Sequence, residues 1–296
     1  MNCQLGLVTG VVKEVDTKQG RIRIEYHDIE DKLLSPWAYI AAPLSGKKRG
    51  QLFMPEVDDE ALVGYADGCF DYPFVLGYLW NGDEVSPETE ASNRVIVTPG
   101  GHQLRFEDKK DDTRIVLKSH GGHVITLEDN AKNPHVSVKS NKERELLLDD
   151  EGSGKVVITS GENRITMDDA PSGTTVEIKA GKNLGVTITM NASPKQSLSI
   201  KVGSSHSITV DDSGMSVETT GAVNVKAGST VNVTAAGMAT VKCSTASLTA
   251  TAGTSISTGV LSVTGTAMFS GIVLAPTLVS TTVVGSAYMP GVGNMM

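Results

Sequence analysis

Residues 100–108, Gly-Gly-His-Gln-Leu-Arg-Phe-Glu-Asp, and residues 121–129, Gly-Gly-His-Val-Ile-Thr-Leu-Glu-Asp, are the clearest copies of a unit written six times between residues 100 and 218. Looser copies of the same half-unit are Glu-Leu-Leu-Leu-Asp-Asp ending at Asp150, Arg-Ile-Thr-Met-Asp-Asp ending at Asp169, Val-Thr-Ile-Thr-Met-Asn ending at Asn191 and Ser-Ile-Thr-Val-Asp-Asp ending at Asp212. A second half-unit recurs between them, as Ile-Val-Leu-Lys-Ser from Ile115, Val-Ser-Val-Lys-Ser from Val136 and four later variants. In register, Leu104, Ile125, Leu146, Ile165, Ile188 and Ile208 form one column. Phe106, Leu127, Leu148, Met167, Met190 and Val210 form a second, two residues further on. Apolar residues alternate with polar ones inside each half, the period of a strand with one buried face. Asp, Asn, Gly and Ser separate the halves because their side chains cap tight turns and tolerate positive φ. Repetition every 21 residues or so means a quasi-one-dimensional stack in which no unit buries its face alone. These twelve column residues are therefore the expected core of an oligomeric needle.

The rest of the composition fits that plan. Of 296 residues only 4% are aromatic, and eleven of the thirteen aromatics lie at or before Phe106. A globular head thus precedes a thin body whose core is built from Val, Ile, Leu, Met and Ala. The net charge of −8 opposes nucleic acid and anionic membrane surfaces as partners. From Cys243 onward the chain has no Asp, Glu, Lys, Arg or His, yet no uninterrupted apolar run is long enough for a membrane helix. Cys3, Cys69 and Cys243 are single and widely spaced, which suggests neither a disulfide framework nor a metal motif and fits a reducing compartment. No basic-then-apolar secretory signal opens the sequence, so synthesis in the cytoplasm is expected.

Residues 1 to about 80 read as five strands, 6–15, 21–27, 35–42, 60–65 and 74–80, with turns at Lys18-Gln19-Gly20 and Asp67-Gly68. Five short strands with a polar turn after the first fit a small Greek-key barrel of OB type. Such barrels often bind single-stranded nucleic acid by stacking. Residues 1–85, however, hold eight Lys and Arg against fourteen Asp and Glu, so Trp37, Tyr39 and Phe53 are read as barrel core.

An ordered series of motifs then becomes specific: Ser-Pro-Trp-Ala-Tyr-Ile-Ala-Ala-Pro from Ser35, Gly50, Met-Pro-Glu-Val-Asp-Asp-Glu-Ala-Leu-Val from Met54, and Asp-Gly-Cys-Phe-Asp-Tyr-Pro-Phe-Val-Leu-Gly from Asp67. This series resembles the OB domain of baseplate spike proteins: those of contractile phage tails, the VgrG spikes of type VI secretion and those of related contractile injection systems. The resemblance spans most of residues 6–82. It implies an all-β chain, an N-terminal OB-fold barrel followed by an intertwined triple-stranded β-helix, assembled as a homotrimeric needle. It further implies a structural spike at the centre of a baseplate, carried in a phage virion tail or contractile injection particle, that punctures the target envelope transiently. Larger relatives carry a hub domain before the barrel. Here the barrel begins almost at Met1, so a separate baseplate hub protein is expected as partner.

The expected domains are the barrel at 1–85, a linker at 86–97, the needle at 98–270 and its tip at 271–296. Beyond residue 218 the repeat shortens to octads, with Val223 and Val225, Val231 and Val233, then Ala239 and Val241. Some short phage spikes close their apex with a His-x-His metal site, but the last histidine here is His206. A blunt platform formed by Tyr288, Met289, Pro290 and Gly291, capped by a PAAR-type tip protein, is the expected alternative.

Other chemistry finds little support. His102, His123 and His206 share a repeat column and would ring an axis in a trimer, but Arg144, Asn163 and Gly185 interrupt it, so solvated turns are expected rather than a metal site. The acidic pairs 107–108, 128–129, 149–150, 168–169 and 211–212 recur layer after layer with no cleft to gather them, the pattern of turn chemistry. Phosphate loops, nucleophile elbows and His-Glu-x-x-His are missing, so neither an enzyme nor a cofactor is expected. Two other readings are a trimeric fibre tip binding a surface glycan and a single-chain β-helix acting on polysaccharide. The first would end in an aromatic-bearing globule and the second would carry an acidic or aromatic groove along one face of its coil.

Overall fold

The structure is a computed structural model that describes residues 6–27, 33–82, 85–182, 185–277, 279–280 and 282. It divides into two units, Met1–Val225 and Lys226–Met296. Among the described residues the regular structure is strand throughout, apart from one 3-10 turn at Ala66–Gly68.

The first five barrel strands follow the alternation in the sequence. They are β1 (Val8–Asp16), β2 (Arg21–Tyr26), β3 (Ala38–Ile40), then, after a two-stranded ribbon of β4 (Ser45–Gly46) and β5 (Arg49–Gly50), β6 (Glu60–Tyr65) and β7 (Pro73–Leu79). They close in the order β1-β2-β3-β7-β6, with β3 and β7 parallel and the other pairs antiparallel. Val12, Ile22, Ile24, Val63 and Val75 point inward with no exposed surface. Each contributes about 1.5–3 kcal/mol by leaving water. Gly10 is required where β1 crosses β2, because a Cβ there would sit 2.5 Å from the Glu25 carbonyl oxygen. Ser35, fully buried, accepts a hydrogen bond on Oγ from the Ile24 amide at 3.0 Å and so replaces a missing ladder partner.

Thirteen further strands, numbered β8 (Asn93–Val97) to β20 (Gly214–Thr219) in chain order, form one antiparallel sheet in which each strand pairs with the next. The register matches the repeat columns: Leu104, Leu117, Ile125, Val138, Leu146, Ile158 and Ile165 lie opposite one another in succession, and the series runs on through Ile178, Ile188, Ile200 and Ile208 to Val217. The expected all-β plan of barrel followed by repeats therefore stands. Within the sheet every inner strand is hydrogen-bonded on both sides to its neighbours in the chain. The sheet also begins at Asn93, within the stretch read as a linker.

From residue 220 onward no strand forms among the described residues, and every described residue there is exposed. The octad pattern is present in sequence, with Val223, Val225, Val231, Val233 and Val241 all more than half exposed. One strand per eight residues, without a hairpin turn between strands, leaves no neighbour in the same chain to complete a ladder.

Candidate functional interface

The sheet's two faces differ in chemistry. On one face both apolar columns are uncovered: Phe106, Ile125, Leu127, Leu146, Leu148, Met167, Met190, Ile208 and Val210 are each between 36% and 42% exposed, and Leu104, Ile165 and Ile188 are half-buried. All twelve residues assigned to the core by sequence share this face, and their cross-strand partners Ile115, Val136, Val156, Val176 and Leu198 extend it. Directly opposed Cβ atoms on a sheet lie about 5 Å apart, so these columns form one continuous apolar strip. No described residue of the chain covers it.

The opposite face carries an ionic column. Glu107, Arg114, Glu128, His135, Asp149, Lys155 and Asp168 oppose one another on seven successive strands, acids alternating with bases. Arg114 Nε donates to Glu107 at 2.6 Å, its Nη1 lies 3.6 Å from Glu128, and Lys155 Nζ lies 3.1 Å from Asp149. Arg105 joins Glu107 to Glu88, donating from Nε to Glu107 at 3.1 Å and from Nη2 to Glu88. On this face Glu128, Ser137, Val157 and Asp149 are at most 9% exposed.

These contacts set protonation. Glu88 accepts from the amides of Glu90 and Thr89, from Asn93 Nδ2 and from Arg105, and these bonds pull its carboxyl down to about 2. The Glu151 amide, then the Lys155 ammonium, hold Asp149 below the usual carboxylate range. The Glu107 carboxylate raises Arg114 above its ordinary value.

The acidic pairs act as turn chemistry, as expected. Asp149, Asp168 and Asp211 each accept on Oδ1 from the amide two residues on, at 3.0, 3.0 and 2.8 Å. The first acids of four pairs, Glu107, Glu128, Asp149 and Asp168, also stand in the ionic column, which sequence reading missed. Its signal was present, because Arg114, His135 and Lys155 occupy the matching place in the second half-unit. The histidines His102, His123 and His206 sit beside turns, and no group of three metal-capable side chains gathers among the described residues.

On the barrel the aromatics depart from the core assignment. Tyr39 and Phe53 are 56% and 57% exposed. In the three-residue β3 the inward position belongs to Ala38, which turns Tyr39 outward. Trp37 is half-buried beneath Arg21 and Arg23, whose guanidinium carbons lie 4.7 and 5.8 Å from its ring centre. Tyr39 and Phe53 line an open groove of about 920 Å³ between the barrel and the β4–β5 ribbon. Tyr288, Met289, Pro290 and Gly291, expected at the tip, lie outside the described residues.

Comparison with known proteins places this barrel. Residues 8–80 match the type VI secretion system/phage-baseplate injector OB domain. The type VI secretion system spike protein VgrG5 of Pseudomonas aeruginosa is 31% identical over 130 residues, covering 39% of this chain and 16% of that protein. VgrG4b of the same organism is 29% identical over 130 residues, with the same coverage. The spike protein of Escherichia phage P2 is 27% identical over 99 residues, covering 33% of this chain and 44% of its own length. The matched region is thus a minor part of each of these relatives. Through an injector OB domain at residues 8–80, the chain is a relative of the baseplate spike proteins of type VI secretion systems and phage tails.

Proposed function

We propose that the chain is a structural spike: a homotrimer at the centre of the baseplate of a phage tail or contractile injection particle, driven through the target envelope. The carrying observation is the uncovered apolar face of the thirteen-stranded sheet. Three copies cover it by turning their apolar strips toward a common axis, each sheet forming one side of a three-sided prism. The octads beyond residue 220 then find in neighbouring chains the strand partners that their own chain lacks.

The uncharged segment from Cys243 suits the leading end. Every ionised side chain carried into hydrocarbon costs several kcal/mol, and this segment has none. A separate PAAR-type protein caps the tip, and a separate hub protein receives the barrel. The role is mechanical, without catalysis, cofactor or nucleic acid. A trimer deleted of residues 1–85 tests the division of labour. It should keep its oligomeric state and fail to enter a baseplate, whereas undiminished incorporation would place the attachment elsewhere.

A further inference from the structure

Because each strand of the thirteen-stranded sheet pairs antiparallel with the next, its connections fall alternately on two flanks. One flank carries the turns from 98–102 to 203–205, the other those from 110–111 to 212–213. The two flanks differ in charge. Taken with the strand-end residue on either side, the turns of the first hold five Lys and Arg, four His and three Asp and Glu. Those of the second hold nine Asp and Glu, five Lys and Arg and one His.

Pairing within the chain sharpens this difference. On the first flank Glu143 is bound to Lys139 at 2.6 Å and Glu162 to Lys182 at 2.8 Å, so two of its three acids are already neutralised. Lys118, Lys142 and Arg144 stay exposed there and form no ion pair with a described residue. On the second flank Asp149 is bound to Lys155 at 3.1 Å, whereas Asp111, Asp129, Asp150, Glu151 and Asp212 are exposed and form none. Unspent positive charge thus lines one side of the strip and unspent negative charge the other.

Three sheets that turn their apolar strips to one axis and point the same way along it meet flank to flank. Rotation then brings the first flank of each copy against the second flank of the next, a contact between two different patches that closes on itself. A copy inverted along the axis would instead bring like flanks together. We propose that the corners of the prism are ionic seams, in which Lys142 and Arg144 of one copy face Asp129, Asp150 and Glu151 of the next, and that these seams force the three chains to run parallel. This inference rests on the trimeric reading above and adds what sets the direction of the chains. Exposed ion pairs contribute little cohesion, which the apolar strip supplies. Opposite charges across a contact act on direction and register, because like charges set against each other reject the wrong arrangement.

The test treats the 296-residue chain with a carbodiimide, which joins an ammonium to a carboxylate only where the two already touch. Within one chain the five-residue strand Glu145–Asp149 holds Lys142 roughly 17 Å from Asp150, and the five-residue strand His135–Lys139 does the same for Asp129, so a link between these residues is made between copies. The expected result is covalent dimer and trimer on a denaturing gel, with peptide mapping that places a link between Lys142 and Asp129, Asp150 or Glu151. Lys142→Glu with Arg144→Glu should remove this link. Adding Asp150→Lys and Glu151→Lys to that pair should bring it back with the charges exchanged. A chain of trimeric mass in which no link joins the two flanks overturns the seam and leaves the trimer standing. So does a Lys142→Cys variant, its native cysteines replaced by serine, that oxidises to a covalent dimer, since like flanks would then lie together. A monomeric mass removes the trimer and the seam at once.

Discussion

Ile165 lies on β15 (Asn163–Ala170), opposite Ile158 and Ile178, in the middle of the apolar strip. Replacing it with Asp should prevent assembly. Burying this side chain against two other copies contributes about 1.5–3 kcal/mol per chain. An uncompensated carboxylate in the same place costs about 3–5 kcal/mol. The combined loss is about 5–8 kcal/mol per chain and threefold that in a trimer. The neighbouring Thr166 provides the control, because it sits on the opposite face of the same strand. Arg164 Nε lies 3.1 Å from its hydroxyl and would partner a carboxylate, and the opposing Glu177 already pairs with Lys179 at 2.9 Å. Sedimentation velocity on both variants should show a trimer for Thr166→Asp and aggregate or monomer for Ile165→Asp. A native-like trimer from Ile165→Asp would refute the assignment of this face to the interior.

Three other outcomes follow from particular contacts. Gly10→Ala should destabilise the barrel by about 1–3 kcal/mol, since its Cβ would clash with the Glu25 carbonyl oxygen, and a lower urea midpoint for barrel tryptophan fluorescence reads this. Glu88 is held at about 2 against an ordinary 4.5, so its stabilising contribution is complete above about pH 4.5 and is lost as the pH falls towards 2. Thermal midpoints measured across that window should fall on acidification, and Glu88→Gln should flatten the dependence. Removing residues 286–296 should abolish capture of a PAAR-type protein in a pull-down without dissociating the trimer; equal capture would place the cap elsewhere.

Much of this fold could be read from alternation alone, because a period of two places Leu104 and Phe106 on one face whatever strand lies alongside. The identity of the neighbour could not. A strand paired to its own chain and one paired to another chain require the same alternation, so residues 93–219 and the octads beyond them look alike in pattern while differing in pairing. Turn spacing separates them. Short polar turns such as Gly161-Glu162, between Ser160 and Asn163, join adjacent strands as hairpins, whereas Gly228-Ser229 and Ala236-Gly237 bend the chain between octads without bringing a ladder together. The ionic column was hidden for another reason. Glu107 and Arg114 are seven residues apart in sequence and become neighbours only once β9 (Gln103–Lys109) and β10 (Asp112–Lys118) are placed in register. On the barrel, β3 is too short for alternation to orient it, so Tyr39 looked like core and proved to be surface.

The central claim is that the open apolar face of this sheet is covered by two further copies of the same chain. Light scattering coupled to size exclusion, on the 296-residue chain at micromolar concentration, measures this directly. The account predicts a single species of three times 31.1 kDa. A folded monomer of 31.1 kDa, with the same strand content, would contradict it.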